Sequence, residues 1–190
     1  MPDTAGPGEP GGGPSRPPVT VRPAAPDDAQ GLLDLQLCLD RETSFMLLSP
    51  GERPRDTALL RTRLEAIAQG ADPAYVIVAD TGARHAADRL AGYVDVSVLP
   101  FQRSLGTGYV VMGVRQSFGG QGVGRALMAA AIDAARETGM TRLELTVMEH
   151  NRPALGLYLA CGFQIEGLRR ESMWVDGHPV SEYWMGLVLG

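Results

Sequence analysis

Apolar positions recur along this chain at two periods, and the change from one to the other divides it. After Asp27 or Asp28, either of which can cap a helix, Leu32, Leu35 and Leu39 return at helical spacing, so a helix to about Leu39 is predicted. A loop over 40–55 carries Ser49-Pro50-Gly51, and a second helix is expected over Thr57–Gln69, stopped by Gly70. The period then shortens to two. Tyr75–Ala79 is a short apolar run that suits a buried strand. Over Leu90–Leu99, Val94, Val96 and Val98 alternate with Tyr93, Asp95 and Ser97. Tyr109–Val114 is a third apolar strand, and Leu143, Leu145 and Val147 alternate with Glu144, Thr146 and Met148 in a fourth. Between these two lies a helix from about Gly122 to Thr138. Val123, Leu127, Ala130 and Ala134 are assigned to its sheet-facing side, and Arg125, Asp133, Arg136 and Glu137 to its polar side.

A helix over Arg152–Cys161, ended by Gly162, and strands at Phe163–Gly167 and Tyr183–Leu189 complete the pattern; Val19–Arg22 opens it as a short strand. The order β-α-α-β-β-β-α-β-α-β-β predicts an α/β domain over 19–190, with a mixed sheet. Residues 1–18 hold eleven glycines or prolines and almost nothing apolar, which predicts a disordered tail.

Composition narrows the function. A net charge of −5 argues against sequence-independent nucleic-acid binding. No apolar run approaches the ~18 residues of a membrane span, and the N-terminus is not a secretory signal, so a soluble, cytoplasmic protein is expected. Cys38 and Cys161, the only two cysteines, read as free buried thiols. No His/Cys/Asp cluster has metal-ligand spacing, so no metal is expected; His85 and His178 read as surface residues. All 17 basic residues are arginine, and Asn151 is the sole asparagine, as a GC-rich genome would produce.

The segment after Val114 carries the chemistry. Gly119, Gly120, Gly122 and Gly124 sit in a turn between a strand and a helix. Glycines let backbone N–H groups converge, and the helix N-terminus adds its positive dipole end, so a phosphate or pyrophosphate fits there. A P-loop requires a lysine, and the chain has none. A dinucleotide fingerprint requires a third glycine that neither Gly120-Gln121-Gly122-Val123-Gly124-Arg125 nor the frame starting at Gly122 supplies.

Gly120-Gln121-Gly122-Val123-Gly124-Arg125-Ala126-Leu127 resembles the acetyl-CoA pyrophosphate loop of the GCN5-related N-acetyltransferases. Asn151-Arg152-Pro153-Ala154-Leu155-Gly156-Leu157-Tyr158, running on to Gly162-Phe163, resembles the family's next segment. The loop pattern begins with Arg or Gln in the family and with Gly119 here; Arg125 or Arg115 is a candidate to supply the missing charge.

The resemblance implies a mostly antiparallel central sheet with helices on both faces, and transfer of an acetyl group from acetyl-CoA to a primary amine, on a small molecule or a protein N-terminus. It implies Tyr158 as the acid that protonates the departing thiolate. It also implies cofactor contacts from Met112, Val114, Gly119, Gly120, Gln121, Gly122, Val123, Gly124, Arg125 and Asn151, the last also a natural N-cap. Glu42, Phe45 and Asp95 are candidates for the acceptor end. The base stays open among Glu144, Asp95, Glu149, His150 and a water relay.

The C-terminal segment is similar to the branch that acetylates ribosomal-protein N-termini, polyamines and amino acids, and the family leaves a homodimer open. A non-catalytic acyl-CoA-binding module on the same fold is the alternative.

Overall fold

The computed structural model describes residues 19–99, 101–104 and 106–190; the expected tail over 1–18 lies outside them. Seven strands form one sheet in the order β1-β2-β3-β4-β5-β7-β6: β1 Thr20–Pro23, β2 Tyr75–Asp80, β3 Leu90–Val98, β4 Thr107–Val114, β5 Arg142–Met148, β6 Gln164–Val175 and β7 His178–Val188. Only the central pair β4–β5 is parallel. The helices are α1 Ala29–Glu42, α2 Thr57–Ala68, α3 Ala86–Arg89, α4 Val123–Glu137 and α5 Arg152–Ala160.

Helices cover both faces of the sheet. On one side Leu32, Leu35 and Leu39 of α1 and Leu64 of α2 pack on Val76, Val78 and Tyr93. On the other, Val123, Leu127, Met128, Ala131 and Ala135 of α4 pack on Ile77, Val94, Val96 and Leu143. Tyr93, expected on a polar face, is therefore buried, because the α1–α2 layer covers that face. On α4 it is Ala131 and Ala135 that are buried, one position on from the expected Ala130 and Ala134.

The largest departure from the sequence reading is at the C-terminus. β6 and β7 run 12 and 11 residues and meet at Asp176-Gly177, whose φ values of 49° and 78° make a tight two-residue hairpin. The short helix α3 is a further element that the apolar periods do not predict.

Asp28 is the N-cap of α1 by position, but its side chain makes no cap bond. Its carboxylate is taken by Arg22, at 2.6 and 2.9 Å, and by the Ala25 N–H; Arg22 also bonds Asp80 at 2.6 Å. Burial opposes ionisation of Asp28, but the Arg22 and Ala25 hydrogen bonds outweigh it and hold the carboxyl below the usual range. Asp80 is lowered in the same way: burial opposes, while the Gly82 N–H and Arg22 prevail. Carboxyls depressed on folding stabilise the protein above the unfolded value near 4, and that contribution is lost as pH falls through the folded value. The unfolding temperature should thus be flat from about pH 7 to 5 and drop below about pH 4. Asp28→Asn should cost about 3 kcal/mol at pH 7 and flatten the acid drop. Calorimetric scans across pH test this, and an unchanged acid drop in the variant would refute it.

Candidate active site

The sheet splits at its centre. β4 and β5 pair over only three positions, Thr107 to Tyr109 with Arg142 to Glu144. Beyond them, the edges Val110–Val114 and Val147–Met148 both border one cleft of about 700 Å³. Six consecutive residues of β4, Tyr109 to Val114, line it, and successive strand residues point to opposite faces. The cleft therefore passes between the strands from one face of the sheet to the other. The Tyr109 hydroxyl and Thr146 Oγ1, 3.0 Å apart, join the two strands just past the last ladder pair.

On the α4 side the wall is the glycine turn and α5. Gly120 and Gly122 adopt φ of 70° and 82°, a region a side chain resists, and an added Cβ on either would meet nothing within 4 Å. Among the described residues, the backbone N–H groups of Gly120, Gln121 and Gly122 donate no backbone hydrogen bond. The N–H groups of the first turn of α4 lack helical partners by geometry. The 15-residue α4 thus presents a row of donors and a dipole terminus to the cleft. Gly124 permits close packing: a Cβ there would lie 3.2 Å from Leu157 Cδ2.

Met112, Val114, Gly119, Gly120, Gly122, Val123, Gly124, Arg125, Asn151 and Tyr158 all line the cleft. Two details differ from expectation. The Gly119 N–H is already donated to Gln116 O, so Gly119 forms wall but offers no free donor. Gln121 is not a lining residue; its side chain turns back to donate to Ser117 O. Of the two arginines considered for the missing charge, Arg125 lines the cleft, while Arg115 donates to Ala87 O and sits 3.6 Å from Asp88.

Asn151 caps α5, its Oδ1 accepting the Ala154 N–H at 3.3 Å. That leaves its side-chain NH₂ without a role in the cap. Tyr158, two turns on, is 8% exposed and packs against Phe163 with centroids 6.0 Å apart. Its hydroxyl makes no hydrogen bond among the described residues. Burial pushes the phenol well above its usual value, so it is a neutral donor throughout the neutral pH range.

The α1 side carries Glu42, Thr43, Phe45, Met46 and Leu47. Glu42 is a structural tie: Oε1 accepts from Cys38 Sγ at 3.2 Å and Oε2 from the Gln116 N–H at 2.9 Å, fastening α1 to the glycine turn. Phe45 lies against the His150 ring, 5.1 Å between centroids. Asp95 does not reach the cleft. It is held from α2 by both terminal nitrogens of Arg63, one at 2.8 Å, because its face of β3 lies under that helix. Glu144 is likewise engaged by Arg142 at 2.7 Å, and none of Glu144, Asp95, Glu149 and His150 lines the cleft.

Besides Glu42, the acid that lines it among the described residues is Glu182 of β7, 6% exposed; a strand expected over Tyr183–Leu189 leaves it out, because β7 begins five residues earlier, at His178. Among the described residues no group of three metal-ligating side chains occurs, and both cysteines are free and half-buried.

The sequence profile of the acetyltransferase (GNAT) family matches residues 40–163, which include the glycine turn, α5 and Tyr158. The chain is 39% identical over 92 residues to the N-alpha-acetyltransferase RimI of Mycobacterium tuberculosis, a match covering 46% of this chain and 54% of that protein. It thus spans about half the length of that curated relative. Among solved structures, an acetyltransferase of the GNAT family from Streptococcus pneumoniae superposes with a TM-score of 0.81 at 25% identity, covering 90% of this chain and 99% of that one. A phosphinothricin acetyltransferase of the same superfamily from Sinorhizobium meliloti, solved in complex with acetyl-CoA, gives 0.75 at 17% identity over 90% and 89% of the two chains, a likeness of fold.

Proposed function

This chain belongs to the acetyltransferase (GNAT) family, and from that premise we propose that it is an enzyme transferring the acetyl group of acetyl-CoA to a primary amine. The carrying observation is the split between β4 and β5, which brings an anion-binding helix terminus and a buried neutral phenol into one cleft. The pyrophosphate lies against the N–H groups of Gly120 to Arg125, where dipole and donors favour negative charge. The unpaired edge of β4 at Met112 and Val114 offers main-chain groups to the amides of the pantetheine arm, as to an added strand. The Asn151 NH₂ is a further donor beside it.

The amine must attack as the neutral base, since an ammonium has no lone pair. Its nitrogen bonds to the thioester carbonyl carbon, and the tetrahedral adduct collapses by breaking the carbon–sulfur bond. The Tyr158 hydroxyl donates to the departing sulfur, while the nitrogen sheds its extra proton to solvent, from which the phenol is reprotonated; burial keeps the phenol protonated for that role. The acceptor class is read from the relative named N-alpha-acetyltransferase, which supports a protein or peptide α-amine. The same reading carries a cytoplasmic site of action, in keeping with two unpaired thiols. It also carries pairing into a homodimer, in keeping with exposed Ile165, Leu168 and Trp174 on the edge strand β6.

Thiol released from acetyl-CoA over a panel of α-amino peptides, monoamines, amino acids and polyamines tests the activity. Amine-dependent release is expected. Tight acetyl-CoA binding with no release from any amine would instead favour a non-catalytic acyl-CoA-binding module.

A further inference from the structure

Glu182 is a buried charge with a function still to be assigned. It lines the same cleft as Tyr158, on the strand that pairs with β5, opposite Met148. A buried carboxylate is costly unless something charged or polar meets it. Its hydrogen bond and its ion-pair distance both fall on one oxygen: Oε2 accepts from Ser172 Oγ at 2.9 Å and lies 3.4 Å from an Arg169 nitrogen. Among the described residues no hydrogen bond to Oε1 occurs.

Strand parity adds the direction. Glu182 and Trp184 share a face of β7, and Trp184 lies beside Tyr109, 6.1 Å between ring centroids. That places Glu182 on the α1–α2 side, across the sheet from the α4 terminus. The remaining cleft residues there are largely apolar: Phe45, Met46, Leu47, Val111 and Met173. Among the described residues two acids line the cleft, and both oxygens of the other, Glu42, are already committed.

We propose that Glu182 docks the acceptor amine in its ammonium form, which gives up a proton to solvent before the neutral amine attacks, and that the site is built for a single positive charge beside apolar groups rather than for a polycation. This rests on the acetyl-transfer reading for its purpose, though not for its test. Ser172 and Arg169 hold Oε2 and so fix the carboxylate. Among the described residues one available carboxylate in a largely apolar surround favours one charge, since a second ammonium would meet no second acid there.

The test is calorimetric, on the full chain saturated with CoA. The probes are a hexapeptide amide with apolar side chains and a free α-amine, its N-formyl counterpart, and spermidine. Wild type is expected to bind the free amine at least about tenfold tighter than the N-formyl peptide, the usual worth of a charge-assisted hydrogen bond. Glu182→Gln is expected to shrink that preference below about threefold with CoA affinity unchanged. Glu182→Asp, which keeps the charge, should retain a preference between the two, and it decides the matter if the Gln variant also loses CoA. A tenfold preference surviving in Glu182→Gln, no preference in wild type, or spermidine binding more tightly than the peptide would each overturn the proposal. Thiol release, run in parallel, separates the two readings. A Glu182-dependent preference without turnover removes the activity and keeps the docking site. Turnover with kcat/KM unaffected in Glu182→Gln does the reverse.

Discussion

Tyr158→Phe is expected to lower kcat by about 100-fold to 10,000-fold, the range for removing a positioned general acid, while the acetyl-CoA dissociation constant stays within about twofold. The substitution removes one oxygen and keeps the ring. The contact with Phe163 and the apolar cluster around α5 are made by the ring, so folding is nearly untouched. The hydroxyl has no hydrogen bond among the described residues, so its removal orphans no partner. On the proposed role, what is lost is the proton donor to the departing sulfur. Burial holds that phenol above its ordinary pKa, so the wild-type rate should show no loss from phenol ionisation up to about pH 9. Steady-state kinetics with a thiol-reactive dye, alongside calorimetric titration of acetyl-CoA, checks both halves. A kcat within threefold of wild type would remove Tyr158 from the chemistry.

Gly108→Val is the second large effect, and it acts on the fold. Gly108 is the middle residue of the three-position ladder joining β4 to β5. A Cβ there would lie 2.6 Å from Val96 Cγ1, 2.9 Å from Leu143 Cδ2 and 3.1 Å from Met140 Sδ. Val96 and Leu143 are fully buried, on strands either side, so neither has room to withdraw. Valine adds a Cβ and two methyls to a packed core, which should cost about 3 kcal/mol or more. For a chain of this length that is a fall of roughly 6–12 °C in unfolding temperature. Because the ladder is the hinge of the split, acetyl-CoA affinity should fall as well. A thermal scan showing a change under about 2 °C would mean that the sheet yields at this point. By contrast, Gly122 faces open space, and its requirement is the positive φ alone.

The candidate site was legible where chemistry depends on local spacing. The glycine turn and the Asn151-to-Tyr158 interval are short-range features, and the cleft is lined by most of the residues they name. The reading lost accuracy where a side chain's role depends on what covers it. Asp95 and Glu144 look like free acids on alternating strands, yet each is held by an arginine, one from α2 and one from its own strand. Glu42 borders the cleft, but its distant sequence neighbour Gln116 occupies it. Glu182 falls outside the strand expected from Tyr183 onward, whereas β7 begins at His178. The signal that could have found it was Asp176-Gly177 between two long runs, the dipeptide of a tight hairpin, which extends both strands by several residues.

The sequence by itself determined the periods of its elements, the turn that bares N–H groups at a helix start, and the spacing that sets Asn151 and Tyr158 two turns apart on α5. Those are properties of a chain over ten or so residues, where backbone geometry leaves few choices. Only the tertiary structure decided that β4 and β5 part after three rungs, that the resulting cleft opens to both faces of the sheet, and which of several carboxylates reaches it. Strand separation is set by packing on both sides: Gly108 lets the strands close at one end, and the glycine turn, α4 and α5 wall the cleft beyond. Such distances belong to contacts between residues far apart in the chain, and no periodicity along it encodes them.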